Sequence, residues 1–141
     1  MSRHGYSDDC DDDLALGRWR GRIASATRGK RGQAFFRALA EALDSMPAKR
    51  LVVGELETRE GEVCALGCLG KAMGADFSSV DTEDWDKLGG LFNITPGLAQ
   101  EVMYVNDEHG RYNTTPEQRW GIVREWVARQ IKADAAAPLA G

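Results

Sequence analysis

Apolar side chains recur at intervals of three and four residues through much of this 141-residue chain. This spacing places them on one face of an α-helix. The most regular run precedes Pro47, which ends it, and contains Phe35, Phe36, Leu39, Ala42, Leu43 and Met46. A second regular run follows a capping box at residues 115–118, with proline at the first helical position, and contains Trp120, Val123, Val127 and Ile131. These two patterns predict long amphipathic helices.

Weaker patterns predict three further helices. The first starts near Leu14 and carries Trp19 and Ile23 on its apolar side, and the second covers about residues 82–92. The third starts at Thr95-Pro96. Residues 88–99 have the proportions of a helix-turn-helix, in which Gly89 permits close packing, Asn93 takes the left-handed turn position, and Ala99 and Val102 seat the second helix. The glycine-punctuated segment 67–74 is compatible with one more short helix.

The pattern changes between residues 49 and 65. Two short apolar runs, Leu51-Val52-Val53 and Val63-Cys64-Ala65, are separated by charged residues and Gly61, which is typical of a β-hairpin. The predicted fold class is therefore α+β, mostly α. We expect a small helical domain of about five or six helices with one β-hairpin at about residues 49–65.

Composition and length predict a single domain with two disordered ends. Residues 1–13 hold five aspartates and one arginine without apolar periodicity, which predicts a disordered acidic leader. Residues 14–132 are expected to fold as one globular unit, and residues 133–141 to form a flexible tail. No stretch approaches the roughly 20 apolar residues that span a bilayer, and the leader is polar where a signal peptide is apolar. We therefore expect a cytoplasmic protein with no membrane partner.

Residues 14–31 form the basic block of the chain, with six basic residues and no acidic residue. We take these six as candidate binding residues for nucleic acid or for an acidic partner: Arg18, Arg20, Arg22, Arg28, Lys30 and Arg31. Arginines interleaved with an aromatic residue neutralise phosphates while the ring stacks on a base. Alternatively, Trp19 belongs to the core and the arginines are solvated or paired with the acidic leader. The formal net charge of −4 disfavours a general polyanion binder.

The residues that commonly carry catalysis or bind metals do not form a recognisable motif. Cys64 and Cys68 have no second cysteine or histidine pair at zinc spacing, and they are expected to pack as small hydrophobic residues. The polar loop 106–115 offers His109 and carboxylates as an acid or base, but nothing in its spacing requires that role. We expect no metal, no cofactor and no enzymatic activity. The second helix of the helix-turn-helix carries Glu101, Asp107 and Glu108, which phosphate repels, so it is a poor DNA reader.

Three segments together resemble a family of small uncharacterised phage and prophage proteins. They are Arg18-Trp19-Arg20-Gly21 running on through Arg28 to Phe35, then residues 61–67, then residues 115–120. The resemblance spans about residues 18–132 and implies a phage-encoded protein that acts in the bacterial cytoplasm. It carries over no catalytic or binding residue. The resulting expectation is a non-catalytic interaction protein that binds a host or defence-system component, with a nucleic-acid-binding accessory protein using residues 18–31 as the alternative.

Overall fold

The computed structural model of the chain describes residues 13–132, which contain six α-helices. Disorder was predicted for the leader, residues 1–13, and for the tail, residues 133–141. Residues 1–12 and 133–141 lie outside the described residues, whereas Asp13 is the first residue of α1. The helices are α1 Asp13–Arg28, α2 Lys30–Asp44, α3 Ala65–Ala72, α4 Trp85–Phe92, α5 Pro96–Glu108 and α6 Pro116–Gln130. The predicted helices are confirmed, with bounds that differ from the sequence patterns by a few residues.

The starts of α5 and α6 follow directly from their sequences. The Thr95 hydroxyl accepts a hydrogen bond from the backbone N–H of Leu98 at 3.2 Å, and proline occupies the next position. The predicted capping box of α6 is confirmed, because Thr115 and Gln118 each bond the other's backbone N–H. Threonine and proline thus satisfy or remove the N–H groups that a helix start leaves without an intrahelical acceptor.

The predicted α+β class is wrong, because residues 49–65 do not form a β-hairpin. Within residues 13–132 there is one isolated antiparallel bridge, between Glu57 and Val63, and no strand. The two apolar runs share one backbone hydrogen bond, from the Val52 N–H to the Val63 carbonyl oxygen at 2.9 Å. Gly54, at φ 84°, then turns the chain, and Leu56 and Glu57 also pair with the second run. That run in turn leads into α3, which starts at Ala65. The described fold is all-helical.

Helices α2 and α5 lie at the centre of the fold. Helix α2 packs against α1, α3 and α6, while α5 packs against α1, α3, α4 and α6. Their apolar faces meet in one core, in which the largest fully buried side chains are Phe36, Leu39, Leu43, Leu51, Leu66, Leu88, Leu98, Val102, Met103, Val105 and Val123. Removing this apolar surface from water is the main favourable contribution to folding. Helix α1 lies at the edge of the core, with Trp19, Ile23 and Ala26 half-buried.

Candidate functional site

The basic block lies at the junction of α1 and α2, where a close crossing of backbones fixes its position. A single residue, Gly29, separates the two helices. A Cβ built on Gly32 would lie only 2.0 Å from the carbonyl oxygen of Ala26, so the first turn of α2 can pass this close only with glycine there. The side-chain carboxamide of Gln33 donates through Nε2 to the carbonyl oxygens of Thr27 and Gln130, each at 2.8 Å. The end of α1 is therefore held against both α2 and α6.

The turn between α4 and α5 forms the opposite wall of the site. Asn93 takes the left-handed conformation at φ 56° and ψ 45°, as predicted for the helix-turn-helix. A Cβ on Gly89 would lie 2.7 Å from the carbonyl oxygen of Ile94, which confirms that glycine permits the close packing here. Ala99 and Val102 are fully buried and seat the second helix as expected. This geometry brings the first turn of α5 against α1.

An open groove runs between α1 and the start of α5, and we call it the basic groove. It consists of a larger recess of about 1020 Å³ and a smaller one of about 290 Å³, which share Ser25, Ala26 and Thr95. Exposed Arg18 and Arg22 line the larger recess, and exposed Lys30 and Arg31 line the smaller one. The groove therefore has cationic side chains near both of its ends.

The apolar side of α1 supplies the floor of the larger recess. Trp19, Ile23 and Ala26 line it and are half-buried. Gly97 lies opposite, and a Cβ built on it would lie 3.3 Å from Cδ1 of Ile23. The lack of a side chain at this position lets the start of α5 approach α1 closely. The groove thus combines an apolar floor with a cationic rim.

The structure divides the six predicted binding residues into two sets. Arg18, Arg22, Lys30 and Arg31 line the basic groove, whereas Arg20 and Arg28 do not. Arg20 lies close enough to Glu101 of α5 to lower the pKa of that carboxyl, although burial has the larger, opposite effect and raises it. Arg28 lies at the end of α1, where its carbonyl oxygen accepts a hydrogen bond from Lys132 Nζ at 2.9 Å.

The cations of the groove are not neutralised by carboxylates of the described residues. The ion pairs within the described residues involve cations outside the groove, for example Arg50 with Glu62 at 2.9 Å and Arg124 with Asp44 at 2.7 Å. Among the side chains that the structure describes, no carboxylate forms an ion pair with a groove cation. Arg31 donates instead to the carbonyl oxygen of Asn93 at 3.0 Å. The N-terminus of α5 adds a partial positive charge to the same groove.

The two cysteines outside the groove are not arranged for nucleophilic chemistry. Cys64 is fully buried, caps the start of α3 by accepting from the Gly67 N–H, and lies 3.9 Å from the Met103 sulfur. Burial, with a smaller contribution from the nearby Cys64, raises the pKa of the Cys68 thiol to about 11. A thiol with such a pKa holds almost no thiolate at neutral pH. The prediction that both cysteines pack as small hydrophobic residues is confirmed.

The predicted polar loop 106–115 is helical at its start, because α5 extends to Glu108, and two of its residues make structural contacts. His109 ends α5 and meets the Tyr104 ring edge-on at 5.4 Å, and burial followed by Arg129 lowers the pKa of its imidazole. Asn106 is fully buried: its carboxamide accepts from the Ala65 N–H and donates to the Val52 carbonyl oxygen, both at 3.0 Å. It joins α5 to the start of α3 and to the segment before it.

Sequence reasoning missed the buried pair formed by Asn106 and Arg119. The guanidinium of Arg119 donates to the carbonyl oxygen of Asn106, and burial lowers its pKa while Asp107 and Glu108 oppose the effect. A signal was present, since Asn106 follows Ala99 and Val102 at helical spacing on the buried side of α5. Because asparagine is polar, Asn106 was assigned to the polar loop and not to the buried face of α5.

Among residues 13–132, no three His, Cys, Asp or Glu side chains lie together so that they could hold a metal ion. None of the helices described is both long and apolar enough to cross a membrane. Comparison of the chain with models of protein families, with curated proteins and with solved structures finds no match.

Proposed function

We propose that the chain is a non-catalytic, phage-encoded interaction protein that binds an acidic protein of the bacterial host, or of its defence systems, through the basic groove. The phage origin and the cytoplasmic location rest on the resemblance of residues 18–35, 61–67 and 115–120. The binding role rests on the groove itself. These two parts of the proposal are independent of each other.

One observation carries the binding role: four exposed cations surround an apolar floor, and no carboxylate of the described residues pairs with them. Complementary charge steers association and fixes the register of a complex, while apolar surface supplies affinity. A protein surface with carboxylates around apolar side chains satisfies both parts of this groove. Cys64 and Cys68 are buried, and the raised pKa of the Cys68 thiol leaves it almost no thiolate at neutral pH.

Nucleic-acid binding is the alternative use of the same cations. Phosphate binding requires basic residues that follow the backbone. Here α5, which forms one wall, carries no lysine or arginine, so the groove cations all belong to α1 and α2. Trp19 is half-buried and packs towards Gly97, so its ring presents limited area for a base. Both features favour a protein partner over a nucleic acid.

A fluorescence-anisotropy titration separates the two uses. The probes are a labelled polyglutamate peptide, a labelled oligothymidine strand and a labelled DNA duplex, each titrated with the full chain at low and at physiological salt. We expect the peptide to bind more tightly than either oligonucleotide, which should stay in the non-specific range of roughly 10⁻⁴ to 10⁻⁶ M. Submicromolar oligonucleotide binding at physiological salt would overturn the proposal.

A pair of charge-reversal variants locates the binding surface. Arg18→Glu with Arg22→Glu should weaken peptide binding by about tenfold or more, because each reversal replaces an attraction by a repulsion. Arg59→Glu with Arg111→Glu is the matched control, since both of these arginines are exposed and lie outside the groove. Equal loss of binding in the two double variants would show that net charge, and not the groove, attracts the peptide.

A further inference from the structure

The basic groove has a defined order of chemical surfaces along its length. Arg18 and Arg22 lie one helical turn apart at one end, and Lys30 and Arg31 lie beyond the end of α1. Between these pairs, the residues shared by the two recesses are Ser25, Ala26 and Thr95, none of which carries a charge. The cationic ends are therefore separated by an uncharged and partly apolar middle.

The length of that middle follows from helix geometry. About eight residues of α1 separate the centre of the first arginine pair from the end of the helix, which corresponds to roughly 12 Å at 1.5 Å per residue. An extended peptide covers roughly 12 Å with four residues. A short segment of a partner is thus long enough to place carboxylates at both ends at once.

Resting on the proposed function, we infer that the groove accepts a partner segment in which acidic residues flank a short apolar stretch. The outer carboxylates pair with Arg18 and Arg22 at one end and with Lys30 and Arg31 at the other. The apolar residues between them cover the floor formed by α1 and remove it from water. A purely acidic segment leaves the floor uncovered, and a purely apolar one leaves the rim without counter-charges. The groove therefore selects for the order of residues as well as for their composition.

Three labelled peptides of equal charge test this order. The flanked peptide is Glu-Glu-Leu-Phe-Leu-Glu-Glu, the block peptide is Leu-Phe-Leu-Glu-Glu-Glu-Glu, and the spacer peptide is Glu-Glu-Gly-Ser-Gly-Glu-Glu. We expect the flanked peptide to bind the full chain about tenfold or more tightly than the spacer peptide, because it buries apolar surface. It should also bind more tightly than the block peptide, which reaches only one cationic end while covering the floor.

A substitution in the shared middle tests where the preference arises. Ser25 is exposed and lines both recesses, so Ser25→Glu places a carboxylate where the apolar stretch is inferred to lie. We expect it to abolish the preference for the flanked peptide. Ser79→Glu, at an exposed position outside the groove, is the matched control and should retain the preference. A thermal melt of each variant verifies that it folds.

The outcomes distinguish this inference from the proposed function. Equal binding of the flanked and spacer peptides, or of the flanked and block peptides, overturns the inference and leaves an acidic partner in place. A preference that survives Ser25→Glu also overturns it, because the apolar contact then lies elsewhere. Failure of all three peptides to bind overturns the proposed function together with the inference.

Discussion

The crossing of α1 and α2 makes Gly32 the position where one added methyl group should be most damaging. A Cβ there would lie 2.0 Å from the Ala26 carbonyl oxygen and 2.8 Å from that of Thr27. Both are backbone atoms, so no side-chain rotation relieves the overlap. Gly32→Ala must instead push the last turn of α1 away from α2, which also strains the hydrogen bonds that Gln33 makes across the junction.

The expected cost is large compared with the stability of a domain of this size. Forced overpacking costs typically 1–3 kcal/mol, and displacement of backbone belongs at the upper end or beyond, so we expect a loss of about 3 kcal/mol. Folded domains have only about 5–15 kcal/mol of stability in total. The midpoint of thermal unfolding should therefore fall by roughly 10 °C.

A glycine in a helix without such a neighbour provides the matched control. Gly121 lies within α6, is exposed, and has nothing within 4 Å of an added Cβ. Gly121→Ala should therefore raise stability by about 0.5–1 kcal/mol through helix propensity alone. Both variants are compared with the parent by circular-dichroism melts. A Gly32→Ala protein that melts at or above the parent temperature would refute the argument for the close crossing.

Four other experiments test separate parts of the structure. Asn106→Ala removes the acceptor of the buried Ala65 N–H, and it should cost about 2–3 kcal/mol in urea unfolding; a loss below about 0.5 kcal/mol would contradict its bridging role. The Cys68 thiol, with a pKa of about 11, should resist alkylation by iodoacetamide until the chain is unfolded, and rapid labelling of the folded protein would contradict its burial. Burial raises the pKa of Glu101 above 4.5, so the folded state keeps this proton at pH values where the unfolded chain has lost it, and stability falls as pH rises through that window. Glu101→Gln should therefore raise the melting temperature at neutral pH and lose this advantage in acid, whereas an equal gain at both pH values would count against the assignment. Removing residues 1–12, which hold four aspartates beside the basic block, should tighten polyglutamate binding in the anisotropy titration, and unchanged affinity would show that these charges do not compete for the groove.

Local sequence signals predicted most of the helices because capping residues mark where several of these helices begin or end. Thr95-Pro96 and Thr115-Pro116 start α5 and α6 through side chains that satisfy nearby N–H groups, and Asn93 ends α4 in the left-handed conformation. These interactions involve residues only a few positions apart. Such signals remain readable without knowledge of the tertiary structure.

The β-hairpin predicted at residues 49–65 was wrong because two apolar runs form a hairpin only if their residues pair along the whole length of both runs. Leu51 and Val63, one from each apolar run, are buried in the core. The chain turns at Gly54, and Cys64 already caps α3, so the one bridge within residues 13–132 pairs Val63 with Glu57 and not with a residue of the first run. Composition does not encode that register, which depends on how the segment packs against the helices.

The basic residues of the candidate site could be predicted from the sequence, but the groove that some of them line could not. All six basic residues were identified from the sequence as candidate binding residues. In the structure Arg20 lies near Glu101, while Arg18 and Arg22 line the groove. The contribution of Thr95 and Gly97 on the other wall depends on the packing of α5 against α1. Such long-range packing has no local signal in the sequence.

Mapping of backbone amide shifts tests most directly whether the basic groove binds an acidic protein segment. The isotope-labelled full chain is titrated with the flanked peptide, and amide resonances are followed by NMR. We expect the largest shifts at the groove-lining residues between Arg18 and Arg31 and at Thr95 and Gly97. The Arg18→Glu, Arg22→Glu variant should lose these shifts. Shifts centred on another surface of the described residues, or shifts in the groove produced only by oligonucleotides, would contradict the account.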